Sequence, residues 1–103
     1  MITLVNTFEV LNDDTTEFER VFHETATFVS KQAGFLGYHL VRSVQDSRKY
    51  FNMAGWASLD DLRAALGTPQ MREHHELVST LATTDPHPCI TVFEVLDESH
   101  RVQ

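Results

Sequence analysis

The sequence predicts an α+β fold of the ferredoxin-like, split βαβ kind: a four-stranded antiparallel sheet with both helices on one face. Three observations carry this. Four segments read as strands, two segments between them repeat apolar residues at three-to-four spacing, and the order is strand, helix, two strands joined as a hairpin, helix, strand (βαββαβ). No internal repeat, low-complexity segment or linker interrupts the chain, so residues 1–103 form one domain.

The first strand spans residues 2–11, with Ile2, Leu4, Asn6, Phe8 and Val10 on one face and Thr3, Val5, Thr7, Glu9 and Leu11 on the other. Asn12-Asp13-Asp14-Thr15 is a turn and capping cluster, and Thr15 or Thr16 is expected to cap a helix whose first turn holds Glu17 and Glu19. That helix is predicted to run to about Gln32, presenting Phe18, Val21, Phe22, Thr25, Ala26 and Val29 on one side and stopping at Gly34. A second strand from Phe35 to about Val44, the polar turn Gln45-Asp46-Ser47-Arg48, and the strand YFNMAGW (50–56) make the hairpin. Ser58 caps a second helix, residues 59–66, which Gly67-Thr68-Pro69 interrupts before it resumes through about Leu81. Asp85-Pro86-His87-Pro88 is expected to break the chain, leaving CITVFEVL (89–96) as the last strand and DESHRVQ (97–103) as a polar tail.

Helices cover one face of such a sheet, yet Phe51 and Met53, and alternate residues of CITVFEVL, put apolar side chains on the other. A second copy is the simplest cover, so a homodimer through the sheet face opposite the helices is expected.

Composition limits the partners. The formal net charge is −7, and the eight Lys and Arg are dispersed, which argues against nucleic acid or an anionic membrane. Cys89 stands alone, no Cys/His spacing of zinc type occurs, and the N-terminus lacks a basic n-region and a spanning apolar run. The expectation is a soluble cytoplasmic protein with a small-molecule partner.

The third strand raises the functional question. Tyr50, Asn52, Ala54 and Trp56 share a face, so a carboxamide sits between two aromatics, where leaving it unpartnered costs roughly 1–3 kcal/mol. Either a loop or buried water satisfies it structurally, or a ligand meets Asn52 and the Trp56 indole N–H in a pocket. Asn6 shares the predicted helix-facing side of the first strand with Leu4 and Phe8. If all three converge, the result is a largely apolar cavity with few polar groups, suited to a small organic ligand. Tyr50, Phe28, Phe35 and Tyr38 are candidate walls, although aromatics in a small core are mostly core, and Arg72 is a candidate partner for a substrate carboxylate, although Glu73 and Glu76 beside it fit a solvated face.

The segments LVNTF, ETATFVSKQAGFLGYHLVRS, YFNMAGW, LDDLRAALGTPQMREH and TVFEV together resemble the antibiotic biosynthesis monooxygenase family of dimeric α+β barrels. Within it the chain is similar to the cofactor-independent anthrone monooxygenases of aromatic polyketide pathways. The resemblance implies oxidation of an anthrone to a quinone by O2 without a cofactor or metal, with Asn6, Asn52 and Trp56 as catalytic residues and His74 among those near the substrate. Haem-degrading members suggest the rival. They use an asparagine on the first strand, a second tryptophan nine residues after the one ending the third strand, and an iron-ligating histidine about nine further on. Asn6 and either His74 or His75 match this haem alternative, but Ala65 stands where the second tryptophan would be. A polyketide cyclase or isomerase would need the same asparagines without oxygen, and a non-catalytic ligand-binding module or a purely structural dimer are the plainer readings. His39, His74 and His75 are the candidates for a general base.

Overall fold

A computed structural model describes residues 1–96. The elements are β1 (Ile2–Val10), α1 (Thr15–Val29), β2 (Phe35–Arg42), β3 (Lys49–Trp56), α2 (Leu59–Leu66), α3 (Pro69–Ser79) and β4 (Ala82–Cys89). The strands form one antiparallel sheet in the order β2-β3-β1-β4, the ferredoxin-like arrangement, with the interrupted second helix resolved as two.

Local chemistry sets the helix ends. Asp14, rather than Thr15 or Thr16, caps α1: its carboxylate accepts the Glu17 N–H at 3.1 Å. Ser58 Oγ accepts the Asp61 N–H at 3.1 Å, and Thr68 Oγ1 accepts the Met71 N–H at 3.1 Å. Pro69 therefore opens α3 at the first helical position, where a missing N–H has no consequence. α1 ends at Val29, short of Gln32, and Gly34 follows in the left-handed region at φ 83°.

The last strand is the main departure from expectation. It runs through the Pro-containing ATTDPHPC and not through CITVFEVL, of which only Cys89 belongs to it. The ladder explains why the prolines are tolerated. The Leu11 N–H donates to Leu81 O at 2.9 Å, so with alternation along an antiparallel pair the odd-numbered positions of β1 carry the bonds to β4. Pro86 and Pro88 lie opposite Asn6 and Leu4, on the intervening pairs, where their missing donors face the outer edge of the sheet. Beyond Cys89, Ile90, Val92, Phe93 and Val95 are 71–95% exposed. The polar tail, 97–103, lies outside the described residues.

Even-numbered positions of β1 and β3 face the helices. Phe8, Val10 and Tyr50 pack with Phe18, Val21 and Phe22 of α1 and with Val78 and Ala82 in one buried cluster; Ala54 and Trp56 pack with Leu62 and Ala65 of α2 in another. Among the described residues the opposite face of the sheet carries no helix, and there Val41 and Met53 are 40% and 39% exposed. Among the described residues no helix is long and apolar enough to cross a membrane.

Candidate active site

A cavity of about 320 Å³ lies between the sheet and the helices, bordered by both buried clusters. Its wall is mostly apolar, as small-molecule pockets commonly are. The sheet supplies Asn6, Asn52 and Trp56, α1 supplies Thr25, and α3 supplies Arg72 and His75.

Asn6 and Asn52 are direct cross-strand partners in the β1–β3 register. The Val10 N–H donates to Arg48 O at 2.9 Å, four positions along, so by alternation Asn6 and Asn52 form a hydrogen-bonded pair with Cα atoms about 5.5 Å apart. Two carboxamides thus stand side by side on the cavity floor. They differ in what holds them. Asn6 Oδ1 accepts the backbone N–H of Asp85 at 3.1 Å, which fixes the oxygen toward β4 and leaves the amide N–H groups for the cavity. Asn52 Oδ1 has no partner although it is buried, and neither does the indole Nε1 of Trp56, which is 1% exposed. An unsatisfied buried polar group costs about 1–3 kcal/mol, and here the two residues that carry such groups line one cavity.

Aromatic contacts set the remaining wall. Phe35 meets the Trp56 ring edge-on, with centroids 5.4 Å apart and planes at 77°, and Tyr38 sits 5.8 Å from Phe22 and 6.4 Å from Phe35. Of the residues singled out from sequence, Asn6, Asn52, Trp56, Phe35, Tyr38 and Arg72 come together here. Tyr50, Phe28 and His74 do not. Tyr50 is buried in the Phe8–Phe18 cluster, and its hydroxyl donates to Glu19 Oε2 at 2.5 Å. Burial, then that bond to Glu19, raise the Tyr50 pKa, against a smaller opposing effect of Arg42, whose guanidinium is 3.6 Å from Glu19. Phe28 and His74 pack on each other, ring centroids 5.5 Å apart, off the cavity wall.

Sequence reasoning missed Thr25, Met71, Thr84 and Pro86 as wall residues, and offered His75 as a haem ligand or as one of three candidate bases without placing it at the cavity. Thr84 and Pro86 were hidden by the misplaced last strand. Thr25 was legible only as part of an apolar helix face, and its hydroxyl is already engaged, donating to Val21 O at 3.0 Å. Arg72 donates to Gly67 O at 3.3 Å and forms no carboxylate pair among the described residues. Among the described residues no cluster of three His, Cys, Asp or Glu is placed to hold a metal ion.

Comparison with known proteins places the chain in a family. The antibiotic biosynthesis monooxygenase family model matches residues 1–77. Deoxynogalonate monooxygenase of Streptomyces nogalater is 35% identical over 97 residues, 94% of this chain and 80% of that protein. A mycobilin-producing heme oxygenase of Mycobacterium tuberculosis is 30% identical over 73 residues, 71% of this chain and 70% of that protein. Among solved structures, SnoaB, a cofactor-independent oxygenase from Streptomyces nogalater, superposes with a TM-score of 0.86 at 34% identity, covering 92% of this chain and 95% of that one. A Nitrosomonas europaea protein with a TM-score of 0.79 at 13% identity, over 90% of this chain and all of that one, shares the fold. With the matched segment running from the first strand into α3 and the 35% identity extending across nearly the whole length, the chain belongs to the antibiotic biosynthesis monooxygenase family and is an enzyme of the monooxygenase kind.

Proposed function

We propose that the protein is a cofactor-independent monooxygenase that oxidises the central methylene of an anthrone-type aromatic polyketide to a quinone carbonyl. The observation that carries this reading is the pair of buried, unpartnered polar atoms, Asn52 Oδ1 and Trp56 Nε1, on two residues that line a mostly apolar cavity of about 320 Å³. A ligand with both a hydroxyl donor and a carbonyl or enolate acceptor satisfies both atoms, and hydroxylated anthrones carry that combination.

Triplet dioxygen reacts slowly with closed-shell molecules, and most oxygenases recruit a flavin or a metal. An anthrone enolate is electron-rich enough to pass one electron to O2 itself. The radical pair collapses to a hydroperoxide at the former methylene carbon, and loss of water leaves the quinone, so one O2 yields one carbonyl and one water. In this reading the protein binds the rings, excludes bulk water and stabilises the enolate with neutral donors from Asn6, Asn52 and Trp56. Donors of this type are worth about 2.7–4 kcal/mol each in well-studied oxyanion holes. Arg72, unpaired by any carboxylate among the described residues, is positioned for an acidic substituent of the substrate at the rim.

The test is aerobic turnover of a hydroxylated anthrone by metal-stripped, flavin-free protein. Quinone formation matched by about one O2 per product supports the reading, and a rate equal to the uncatalysed oxidation overturns it. Ring closure without O2 uptake would identify a cyclase instead.

One observation favours a second reading. His75 is on the cavity wall, where an iron ligand would be needed, and a heme oxygenase is among the relatives. The volume speaks against it: about 320 Å³ is at the small end of ligand pockets, and a tetrapyrrole with two propionates requires the walls to part. A Soret band on adding haemin, abolished in His75→Ala, would establish that alternative.

The same proposal includes a homodimer through the helix-free face of the sheet. Val41 and Met53 make that face apolar, and a second copy of the face is its simplest complement.

A further inference from the structure

We infer that His75 is the proton-transfer residue of this site, taking the methylene proton of the bound substrate and returning it during release of water. The inference rests on the anthrone reading above. It starts from a count of what the wall can do. Among the described residues, the titratable side chains lining the cavity are Tyr38 from β2, and Arg72 and His75 from α3; α1, α2, β1, β3 and β4 contribute none, and no carboxylate of the described residues reaches it. Arg72 is permanently protonated, and a neutral phenol is a poor base. Imidazole is the side chain that exchanges a proton near neutral pH, so His75 is the wall's one competent acceptor. The charged and titratable residues beside it on α3 are Arg72, Glu73, His74 and Glu76, of which only Arg72 shares the cavity wall.

Burial gives the direction. Asn52 and Trp56 form a floor 9% and 1% exposed, whereas His75 is exposed at the rim. In an anthrone the methylene lies across the central ring from the carbonyl. A substrate whose carbonyl oxygen meets the floor donors therefore turns its methylene away from them, toward the wall where α3 presents His75.

The step balances. The methylene C–H bond breaks, an N–H bond forms on the imidazole, and the electron pair enters the ring system as the enolate. After O2 adds, the peroxide anion takes the proton back from the imidazolium. His75 then removes the second hydrogen from that carbon, the O–O bond breaks, and the departing hydroxide receives this proton as water. His75 ends neutral and the cycle closes.

Exchange and oxidation separate the two ideas. Under anaerobic conditions in D2O, wild-type protein should speed deuterium incorporation into the methylene of dithranol, and His75→Gln should lose that acceleration. Aerobically, His75→Gln should lower kcat by about 10²–10⁴ with KM little changed, and remove the fall in kcat at acidic pH. Because the rim is open, added imidazole should restore turnover to His75→Ala, which a merely structural role would not allow. Exchange without O2 consumption would overturn the oxygenase reading and leave His75 as the base. Exchange and turnover undiminished in His75→Gln, or no exchange in wild type above the solvent rate, would overturn this assignment.

Discussion

The side-chain oxygen of Asn6 accepts the main-chain N–H of Asp85 at 3.1 Å, across the β1–β4 pair. An edge strand thereby decides which end of a cavity carboxamide faces the ligand. The same strand leaves its proline nitrogens outward, so the bond comes from a position whose N–H already points at β1.

Asn6→Asp separates holding from donating. The aspartate keeps an oxygen for the Asp85 N–H but replaces the cavity-facing donor with an anionic acceptor, opposed to an enolate. On the proposed chemistry kcat should fall by roughly 10²–10³, the usual effect of losing one oxyanion donor, while the thermal midpoint stays close to wild type. Equal activity in the two proteins would remove Asn6 from catalysis.

Asn52→Leu should gain stability and lose activity. The Oδ1 atom of Asn52 is buried without a partner, and a leucine, of the same branched shape but larger, has nothing left unsatisfied and can extend into the cavity that Asn52 lines. A gain of about 1–2 kcal/mol in urea unfolding, with turnover abolished, is the expected pair of results. A loss of stability would mean that the carboxamide is satisfied structurally, by an ordered water, and is not held ready for a ligand.

How far the sequence reveals this site follows from the ranges of the interactions involved. Alternation along β1 and β3 put Asn6, Asn52 and Trp56 on the helix side, and pairing of the two strands makes the asparagines neighbours. Ser58 and the Gly67-Thr68-Pro69 break are local signals and read correctly. The last strand did not, because local rules treat Pro86 and Pro88 as breakers and only the ladder shows them on non-bonded edge positions. CITVFEVL has the better strand composition, but all of it beyond Cys89 lies outside the sheet. Tyr50 likewise shares its face with Asn52, yet lies in the core beside Phe18, 4.7 Å between ring centroids, a distinction that periodicity does not make.

Tyr50 gives the stability a defined alkaline limit. Burial and the bond to Glu19 raise its pKa above the ordinary value of 10.0, so the folded state holds the phenolic proton more tightly than the unfolded chain. That stabilisation is fully present below about pH 10 and is lost as pH rises through the raised folded value. Thermal midpoints measured upward from pH 9 should fall in wild type and fall less steeply in Tyr50→Phe. Parallel slopes would show that the hydroxyl ionises alike in both states.

Gly34 joins three elements. Its φ of 83° is left-handed, its carbonyl accepts the Ala57 N–H at 2.8 Å just after β3, and a Cβ there would overlap the Asp61 carboxylate in the first turn of α2. Gly34→Ala combines the left-handed penalty of about 1–2 kcal/mol with displacement of Asp61, whose Oδ2 accepts the Ser58 hydroxyl at 3.0 Å. The variant should lose at least about 2 kcal/mol in denaturant unfolding. Because Asp61 Cβ itself would lie 2.6 Å from the added Cβ, Asp61→Gly in the same background, compared with Asp61→Gly alone, should recover the steric part, and failure to recover any would assign the whole cost to backbone conformation.

The open sheet face is where the dimer reading can be broken. Met53 and Val41 lie on neighbouring strands with helices only on the far side, so a charge at Met53 enters the proposed interface without touching the cavity. Wild-type protein should show twice the 11.8 kDa chain mass by light scattering, and Met53→Glu should show the single-chain mass, because two like charges would face each other across a symmetric contact. The far-ultraviolet circular dichroism of the variant should match wild type, since Met53 contributes to neither buried cluster. A wild-type monomer would refute the interface outright. A dimeric Met53→Glu would move it to another surface, and the exposed Ile90, Val92, Phe93 and Val95 would be the next apolar group to charge.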